Sequence, residues 1–271
     1  YMNHYRMCLK HKKRIVIKIG TSSLTYSTGR LNFHKMDQLA RILTDLRNQG
    51  KEIVLVSSGA VAVGIDRLHL NERPKTIEMN QAAAAVGQAA LMQIYEKLFG
   101  EYNQQVAQIL LTKDVVKHPK RRKNTENTFC ALLKMGVIPI VNENDTVAIE
   151  EIEFGDNDTL SAMVADVIKA DLLILLSDID GLYTCDPRLD SKAQLFSIIT
   201  EITPEIEAIA GGAGSDLGTG GMATKISAAK IACGTGIDMV ITNAERLDNI
   251  YSILNGENIG SLFLGKTISA I

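Results

Sequence analysis

The stretch DNDTLSAMVADVIKADLLILLSDIDG, residues 156–181, contains the pattern on which the fold prediction rests. Its first part, 156–171, starts with polar residues and continues with apolar residues at helical spacing, which predicts a helix. Its second part, 172–181, starts with a run of leucine and isoleucine and ends in acidic turn residues. This run predicts a strand buried on both faces, as in a mainly parallel sheet that is covered by helices.

The same alternation of strands and helices continues on both sides of this stretch. On the N-terminal side, strands are predicted over 14–20, 51–59, 105–111 and 136–142, and helices over 33–50, 78–100 and 124–135. On the C-terminal side, the pattern predicts a helix from Met222, a strand over 237–242, a helix over 246–256 and a strand over 259–265. No linker or repeat interrupts the pattern, so we predict one α/β domain.

Composition favours a globular protein and excludes several other classes. The chain has 271 residues, 46% of them hydrophobic, and a formal net charge of -2, which favours neither a nucleic-acid nor a membrane partner. The four cysteines form no CxxC motif, which argues against a disulfide framework or a metal site and for a reducing, cytoplasmic setting. No apolar run approaches the roughly 18 residues of a membrane helix.

Ligands of such folds bind at the carboxyl ends of the strands, and polar segments follow the predicted strands there. Lys18, inside an apolar strand, is either a cation aimed at a phosphate or a side chain that reaches the solvent at the sheet edge. Residues 57–59 either offer amides to an anion at a helix N-terminus or form an ordinary serine cap. Further polar residues crowd two short turns: Asn142, Asn144, Asp145, Asp156, Asn157 and Asp158.

The segment GSDLGTGGMATKISAAKIA, residues 214–232, predicts a phosphate site. Its glycines match the dinucleotide pattern G-x-G-x-x-A, but a loop and not a strand precedes them, so we reject that interpretation. This segment does not match the Walker A pattern G-x-x-x-x-G-K-[ST] either. Glycine amides, a helix N-terminus and Lys225 would together favour an anion, whereas a flexible hinge would not need Lys225.

Taken together, several motifs resemble the glutamate 5-kinases of the amino acid kinase family. They are IVIKIGTSSL, VSSGAVAVG, AAAAVGQAALMQ, VIPIVNENDTVA, FGDNDTLSAMVA, LLSDIDGLYTCDPR and GTGGMATKISAAKIA. The resemblance implies a three-layer αβα sandwich around a mainly parallel eight-stranded sheet. It also implies a single kinase domain over 14–265 and a basic N-terminal extension over 1–13, and we expect no C-terminal RNA-binding-like (PUA) domain.

The resemblance implies that ATP phosphorylates the γ-carboxylate of L-glutamate to L-glutamate 5-phosphate, the first step of proline biosynthesis. Mg²⁺ would bridge the ATP oxygens with few protein ligands, so no metal-binding residues are predicted. A homo-oligomer, either a dimer or a tetramer, is implied as well, and proline is a candidate feedback inhibitor. Neither a nucleic acid nor a membrane is an expected partner.

Roles for individual residues follow from the same resemblance. Lys18 and Lys225 would stabilise the phosphoryl oxygens, and Asp158 would orient both lysines. Glutamate would be held by Ser58, Asp145, Asp156 and Asn157. The nucleotide would contact Lys18, Ser177, Asp178, Thr219, Gly220, Gly221, Met222, Ala223, Thr224 and Lys225.

One segment departs from the family pattern. Residues 117–124, KHPKRRKN, are strongly basic, which we interpret as a solvated loop. Two alternative functions stay open: a sister kinase that acts on another carboxylate or a carbamate, and a non-catalytic amino-acid sensor. The presence of Lys18, Asp158 and Lys225 argues against the sensor.

Overall fold

The computed structural model describes residues 2–112, 114–147, 157–211 and 221–266. The strands, numbered along the chain, are β1 (Arg14–Ile19), β2 (Glu52–Ser57), β3 (Val106–Leu111), β4 (Ile138–Glu143), β5 (Leu172–Ser177), β6 (Ile198–Ile199), β7 (Asp238–Asn243) and β8 (Ser261–Phe263). They form one eight-stranded sheet in the order β3-β4-β2-β1-β5-β7-β8-β6. The pairs β2–β4, β3–β4, β5–β7 and β6–β8 are parallel, and β7–β8 is antiparallel. The predicted α/β fold class with a mainly parallel sheet is therefore confirmed.

Helices flank this sheet. In the described ranges they are α1 (Met2–Cys8), α2 (Thr21–Leu24), α3 (Phe33–Asn48), α4 (Ala60–Arg67), α5 (Ile77–Gly100), α6 (Asp114–Lys117), α7 (Pro119–Lys134), α8 (Asn157–Ile168), α9 (Pro204–Gly211), α10 (Met222–Gly234) and α11 (Asn249–Leu254). A short 3₁₀ helix, Leu9–His11, follows α1. In the described part of the chain, no helix combines the length and the apolar character that crossing a bilayer demands.

The start of α7 differs from the sequence prediction. The helix begins at Pro119 instead of near residue 124, so most of the basic segment 117–124 is helical and not a loop. Proline is well suited to the first helical position, because an N–H group there has no partner within the helix. Lys120, Arg121 and Lys123 are exposed, and Lys123 pairs with Glu126 at 2.9 Å.

The chain divides into two compact units, each with its own core. The first comprises Tyr1–Lys18 and Asp158–Ile271, and the second comprises Ile19–Asn157. In the first unit every residue of β5 is buried, which agrees with its uninterrupted apolar sequence. In the second unit β2 and β4 each contain a run of four apolar residues, and all of β4 is buried.

Arg6 fastens the N-terminal segment to the first unit. Its side chain is buried, and Nη1 donates to the carbonyl oxygen of Ile259 at 2.6 Å. Nη2 donates to the carbonyl oxygens of Ser197 and Gly260, each at 2.7 Å. Burial lowers the pKa of Arg6 to about 10, so the guanidinium stays charged at neutral pH. Hydrogen bonds from a charged group to three carbonyl oxygens offset the cost of removing that charge from water.

Glycines bring α4 and α5 of the second unit into close contact. A Cβ atom at Gly64 would lie 1.8 Å from the carbonyl oxygen of Ala83, and one at Gly87 would lie 1.7 Å from that of Ala60. The backbones can approach this closely only because both glycines lack a side chain. The packing fixes α4, whose first residue follows Gly59.

Candidate functional site

Lys18, Asp158 and Lys225 form a contact cluster in the first unit. Lys18 belongs to β1, while Asp158 and Lys225 lie in the first turns of α8 and α10. Nζ of Lys18 lies 2.6 Å from Oδ1 of Asp158, and Nζ of Lys225 lies 3.0 Å from Oδ2. Each oxygen of one carboxylate therefore contacts one ammonium group, which is the geometry that the predicted orienting role of Asp158 needs.

The cluster is almost completely shielded from solvent, with Asp158 0%, Lys225 5% and Lys18 8% exposed. Burial raises the pKa of Asp158, but the two ammonium groups outweigh burial and hold this pKa below its ordinary value. The hydroxyl of Thr224 also donates to Oδ2 of Asp158, at 3.0 Å. Because Asp158 stays ionised at neutral pH, it is suited to holding the lysines and not to transferring a proton.

Lys225 lies beside a helix terminus that can bind an anion. The residue that precedes α10 is Gly221, which offers no side-chain cap to the amides of the first turn. The first amides of a helix have no partner within it, and the helix dipole makes this end positive. Met222 is partly exposed and Ala223 is exposed. The predicted phosphate-binding residues 221–225 therefore combine backbone donors with an ammonium group.

A buried network of side-chain amides occupies the second unit. Nδ2 of Asn157 lies 2.9 Å from Oδ1 of Asn142 and 2.8 Å from Oγ of Ser58. Oδ1 of Asn142 also accepts from the backbone N–H of Glu143 at 2.8 Å, and Nδ2 of Asn157 lies 3.2 Å from the carbonyl oxygen of Ser57. A backbone N–H only donates and a backbone carbonyl only accepts, so these two contacts determine which atom of each amide is oxygen. Asn157 therefore directs its NH₂ group into the network.

The two serines after β2 have different environments. Ser57 is fully buried, and its Oγ lies 2.8 Å from the hydroxyl of Tyr95, whose pKa is raised by burial. Ser58 is partly exposed, and its backbone N–H donates to the carbonyl oxygen of Ile19 at 3.2 Å. The idea that the Ser58 amide binds an anion is therefore wrong, because this amide is already engaged. The hydroxyl group of Ser58 remains as the accessible polar group.

The other predicted site residues lie at several places. Ser177 ends β5, and its Oγ donates to Oδ1 of Asp178 at 3.0 Å. Asp145 lies in the turn after β4 and is partly exposed. Asp156, Thr219 and Gly220 lie outside the described residues.

Two residues of the network were missed by the sequence analysis as members of a site. Asn142 appeared only as one of several polar residues near a turn, and Gln88 was part of an alanine-rich helix without a role. The sequence did contain a signal for Gln88. It lies seven positions before Tyr95, and residues seven apart share one face of a helix, so a polar side chain was to be expected on the buried face of α5.

Comparisons with known proteins agree with the motifs. The sequence profile of the amino acid kinase family matches residues 13–243. The chain is 57% identical to a protein named glutamate 5-kinase from Clostridium acetobutylicum, over 98% of this chain and 99% of that protein. Proteins of the same name from Clostridium perfringens and Listeria monocytogenes are each 54% identical over 96% of this chain, and the matches cover 98% and 96% of those proteins.

A solved structure with the same fold is the UMP kinase from Bacillus anthracis. It superposes with a TM-score of 0.61 at 16% identity, and the match covers 94% of this chain and 97% of that chain. At this identity the likeness supports the fold alone. The profile match and the high identity over nearly the whole chain show that the chain belongs to the amino acid kinase family.

Proposed function

We propose that this chain is a phosphotransferase that moves the γ-phosphoryl group of ATP to the γ-carboxylate of L-glutamate. The product is L-glutamate 5-phosphate, and the reaction is the first step of proline biosynthesis. The observation that carries the proposal is the pair of buried lysines on Asp158. The choice of glutamate as acceptor rests on the identity of 54–57% to proteins named glutamate 5-kinase.

The chemistry requires charge stabilisation but no general base. A carboxylate is already ionised at neutral pH, so the acceptor needs no residue to remove a proton. Phosphoryl transfer is accelerated mainly by alignment and by positive groups at the phosphoryl oxygens. Lys18 and Lys225 supply two positive charges, and Asp158 fixes where both ammonium groups lie.

The hydrogen-bond donors and acceptors of the amide network suit an α-amino acid. Because the NH₂ group of Asn157 faces the network, the opposite end of this amide is its acceptor oxygen, Oδ1. Ser58 accepts from Asn157, which leaves its hydroxyl proton to donate. An acceptor suits the ammonium group of glutamate and a donor suits a carboxylate. Asp145 and Asp156 would add negative charge for the ammonium group.

On the nucleotide side, the amides of residues 219–223 and the Lys225 ammonium would bind the phosphates, with Thr224 between them. Ser177 and Asp178 would lie by the nucleotide, because they lie at the carboxyl end of β5. We propose Mg²⁺ as the companion of ATP, held mainly by the phosphate oxygens. When bound, Mg²⁺ would neutralise phosphate oxygens while keeping several waters.

Family membership also supports several broader proposals. We propose a cytoplasmic homo-oligomer, either a dimer or a tetramer, with a kinase domain over residues 14–265. Proline is the candidate feedback inhibitor, as the end product of the proposed route. Size-exclusion chromatography with light scattering tests the first proposal, and a proline titration of the activity tests the second.

A hydroxylamine assay tests the proposed reaction, since hydroxylamine traps acyl phosphates. The enzyme would be incubated with ATP, Mg²⁺ and hydroxylamine, and both ADP and hydroxamate would be measured. We expect both products with L-glutamate and neither with D-glutamate, L-aspartate or N-acetyl-L-glutamate at equal concentration. Hydroxamate from N-acetyl-L-glutamate alone would point to a sister kinase, and no ADP with any acid would favour a sensor.

A further inference from the structure

Gln88 lies behind the residues that we assign to glutamate, in the buried face of α5. Its Oε1 accepts a hydrogen bond from Nδ2 of Asn142 at 2.9 Å. We infer that Gln88 is a positioning residue: by holding Asn142, it keeps the carbonyl oxygen of Asn157 turned towards the ammonium group of the substrate. This inference rests on the proposed function for the identity of the substrate, but the relay itself consists of contacts within the second unit.

Backbone groups determine which end of each amide donates in the series Gln88, Asn142 and Asn157. The N–H of Glu143 requires an oxygen atom at Oδ1 of Asn142, so the opposite end of this amide must be its NH₂ group. That NH₂ group is buried and needs an acceptor, which Gln88 provides. The oxygen of Asn142 can then accept from Asn157. The contact with Gln88 thus reinforces the orientation of Asn142, and the contact with Asn142 reinforces the orientation of Asn157 that the Ser57 carbonyl also favours.

Loss of the acceptor at position 88 would disturb this order. A buried NH₂ group without a partner is costly, so the Asn142 side chain would rotate towards another acceptor or towards water. Its oxygen would then leave Asn157, whose NH₂ group would keep only the Ser57 carbonyl and the Ser58 hydroxyl as acceptors, so the Asn157 amide would be held less firmly. A less firmly held amide presents its oxygen less constantly to the substrate, and its NH₂ group would repel an ammonium group.

The helix that supplies Gln88 is well suited to this role. Tyr95 lies seven positions later in α5 on the same face, and its hydroxyl contacts Ser57. One rigid helix therefore holds polar residues at the ends of two strands, Asn142 of β4 and Ser57 of β2. Gly87, next to Gln88, packs against the backbone of α4, which restricts movement of this part of the helix.

The test compares Gln88→Met, which has a similar size but no acceptor, with Gln88→Glu, which keeps an acceptor oxygen. Steady-state kinetics would be measured with L-glutamate and with glutarate, which lacks the ammonium group. We expect Gln88→Met to raise the glutamate KM about tenfold, the typical effect of a lost buried hydrogen bond. The ATP KM and the kinetics with glutarate should stay at wild-type values. Gln88→Glu should restore the glutamate KM to within about threefold.

Two controls separate positioning from packing. Gln93→Met makes the same chemical change at an exposed position of α5 and should leave all constants unchanged. Gln88→Met combined with Asn157→Ala should be no worse for glutamate than Asn157→Ala alone, because both substitutions remove one interaction. If Gln88→Met does not fold, Gln88→Ala lacks the acceptor in the same way and takes its place.

The outcomes distinguish the inference from the proposed function. Three results would each overturn the role of Gln88. The first is an equal loss of kcat/KM with glutamate and with glutarate, and the second is an equal rise of the glutamate KM in Gln88→Met and Gln88→Glu. The third is a glutamate KM in the double variant that is raised by the product of the two single effects. If glutarate turns over too slowly, its inhibition constant against glutamate serves instead. If the wild-type protein phosphorylates a different α-amino acid, glutamate is the wrong acceptor, and the Gln88 comparison is then made with that acid.

Discussion

Lys225 and Asp158 are 67 positions apart in sequence, yet they form a 3.0 Å ion pair in which neither side chain is more than 7% exposed. A second ammonium group, that of Lys18, contacts the other oxygen of the same carboxylate. The three side chains therefore carry one excess positive charge in a place that water hardly reaches. Charge interactions are stronger there than in water, so this excess charge can act strongly on a phosphoryl group.

Removal of Lys225 tests the role of that charge. We expect Lys225→Ala to lower kcat by roughly 100-fold, the effect typical of one lost electrostatic contact to a transition state. The glutamate KM should change little, because this contact is proposed for the phosphoryl group. Lys230→Ala is the matched control, since Lys230 is exposed on the same helix and pairs with Glu207 at 2.7 Å. A Lys225→Ala enzyme with nearly normal kcat would exclude the proposed role.

Asp158→Asn keeps the shape of the side chain but removes the negative charge that both buried ammonium groups contact. We expect the free energy of unfolding to fall by about 3 kcal/mol, as in other broken buried ion pairs. Urea denaturation at neutral pH measures this loss, and Asp166→Asn, at a half-buried position of the same helix, is the control. An unchanged free energy of unfolding would mean that the ion pairs contribute no net stability.

The same pair predicts a dependence of stability on pH. Folding lowers the pKa of Asp158, so its ion pairs stabilise the protein fully above the unfolded-state pKa of about 3.9. The contribution is lost as the pH falls through the lower folded-state value. The difference in unfolding free energy between wild type and Asp158→Asn should be constant from about pH 5 to 7 and shrink below about pH 4. A difference that persists unchanged to about pH 3 would contradict the lowered pKa.

Asn157 and Asp145 test whether the second unit binds the acceptor. Asn157→Ala and Asp145→Ala should raise the glutamate KM far more than the ATP KM, because each removes a group proposed to contact glutamate. A purely structural cap would behave in the opposite way, with a loss of about 1 kcal/mol in stability and normal KM values. Thermal melts and kinetics on the same two variants distinguish these cases.

The close packing of α4 and α5 gives a prediction about stability. Gly64→Ala would place a Cβ atom 1.8 Å from the carbonyl oxygen of Ala83, so the helices must separate. We expect a loss of about 1–3 kcal/mol, as for other overpacked sites. Gly100→Ala is the control, because a Cβ atom there meets no other atom within 4 Å. That variant should match or slightly exceed the wild type in thermal stability, since alanine favours helices.

The sequence predicted those helices and strands that are specified by consecutive residues. The strand expected over 172–181 is found as β5, Leu172–Ser177, because an uninterrupted apolar run has few alternatives to a buried strand. The two-residue strand β6 was missed, since only its pairing with β8 makes it a strand. The helix α1 was missed as well, because its sequence is basic and its stability depends on the buried contacts of Arg6.

In the candidate site, too, residues within local motifs were identified, whereas residues that depend on distant contacts were not. Lys18, Asp158 and Lys225 were identified because each lies within a recognisable motif, and the structure brings the three side chains into contact. Gln88 and Asn142 were not identified as members of a site. Their hydrogen bond joins residues 54 positions apart on a helix and a strand, and no local pattern specifies which side-chain amides will meet.

The contacts of Arg6 also impose an order on folding. Its acceptors lie 191 to 254 positions later in the chain, so a ribosome releases Arg6 long before them. At about 5–20 residues per second, that delay is roughly 10–50 s. The second unit, Ile19–Asn157, is continuous in sequence and can fold during this interval. The first unit is assembled from both ends of the chain. Arg6 in the N-terminal helix therefore cannot complete its hydrogen bonds until Gly260 has left the ribosome.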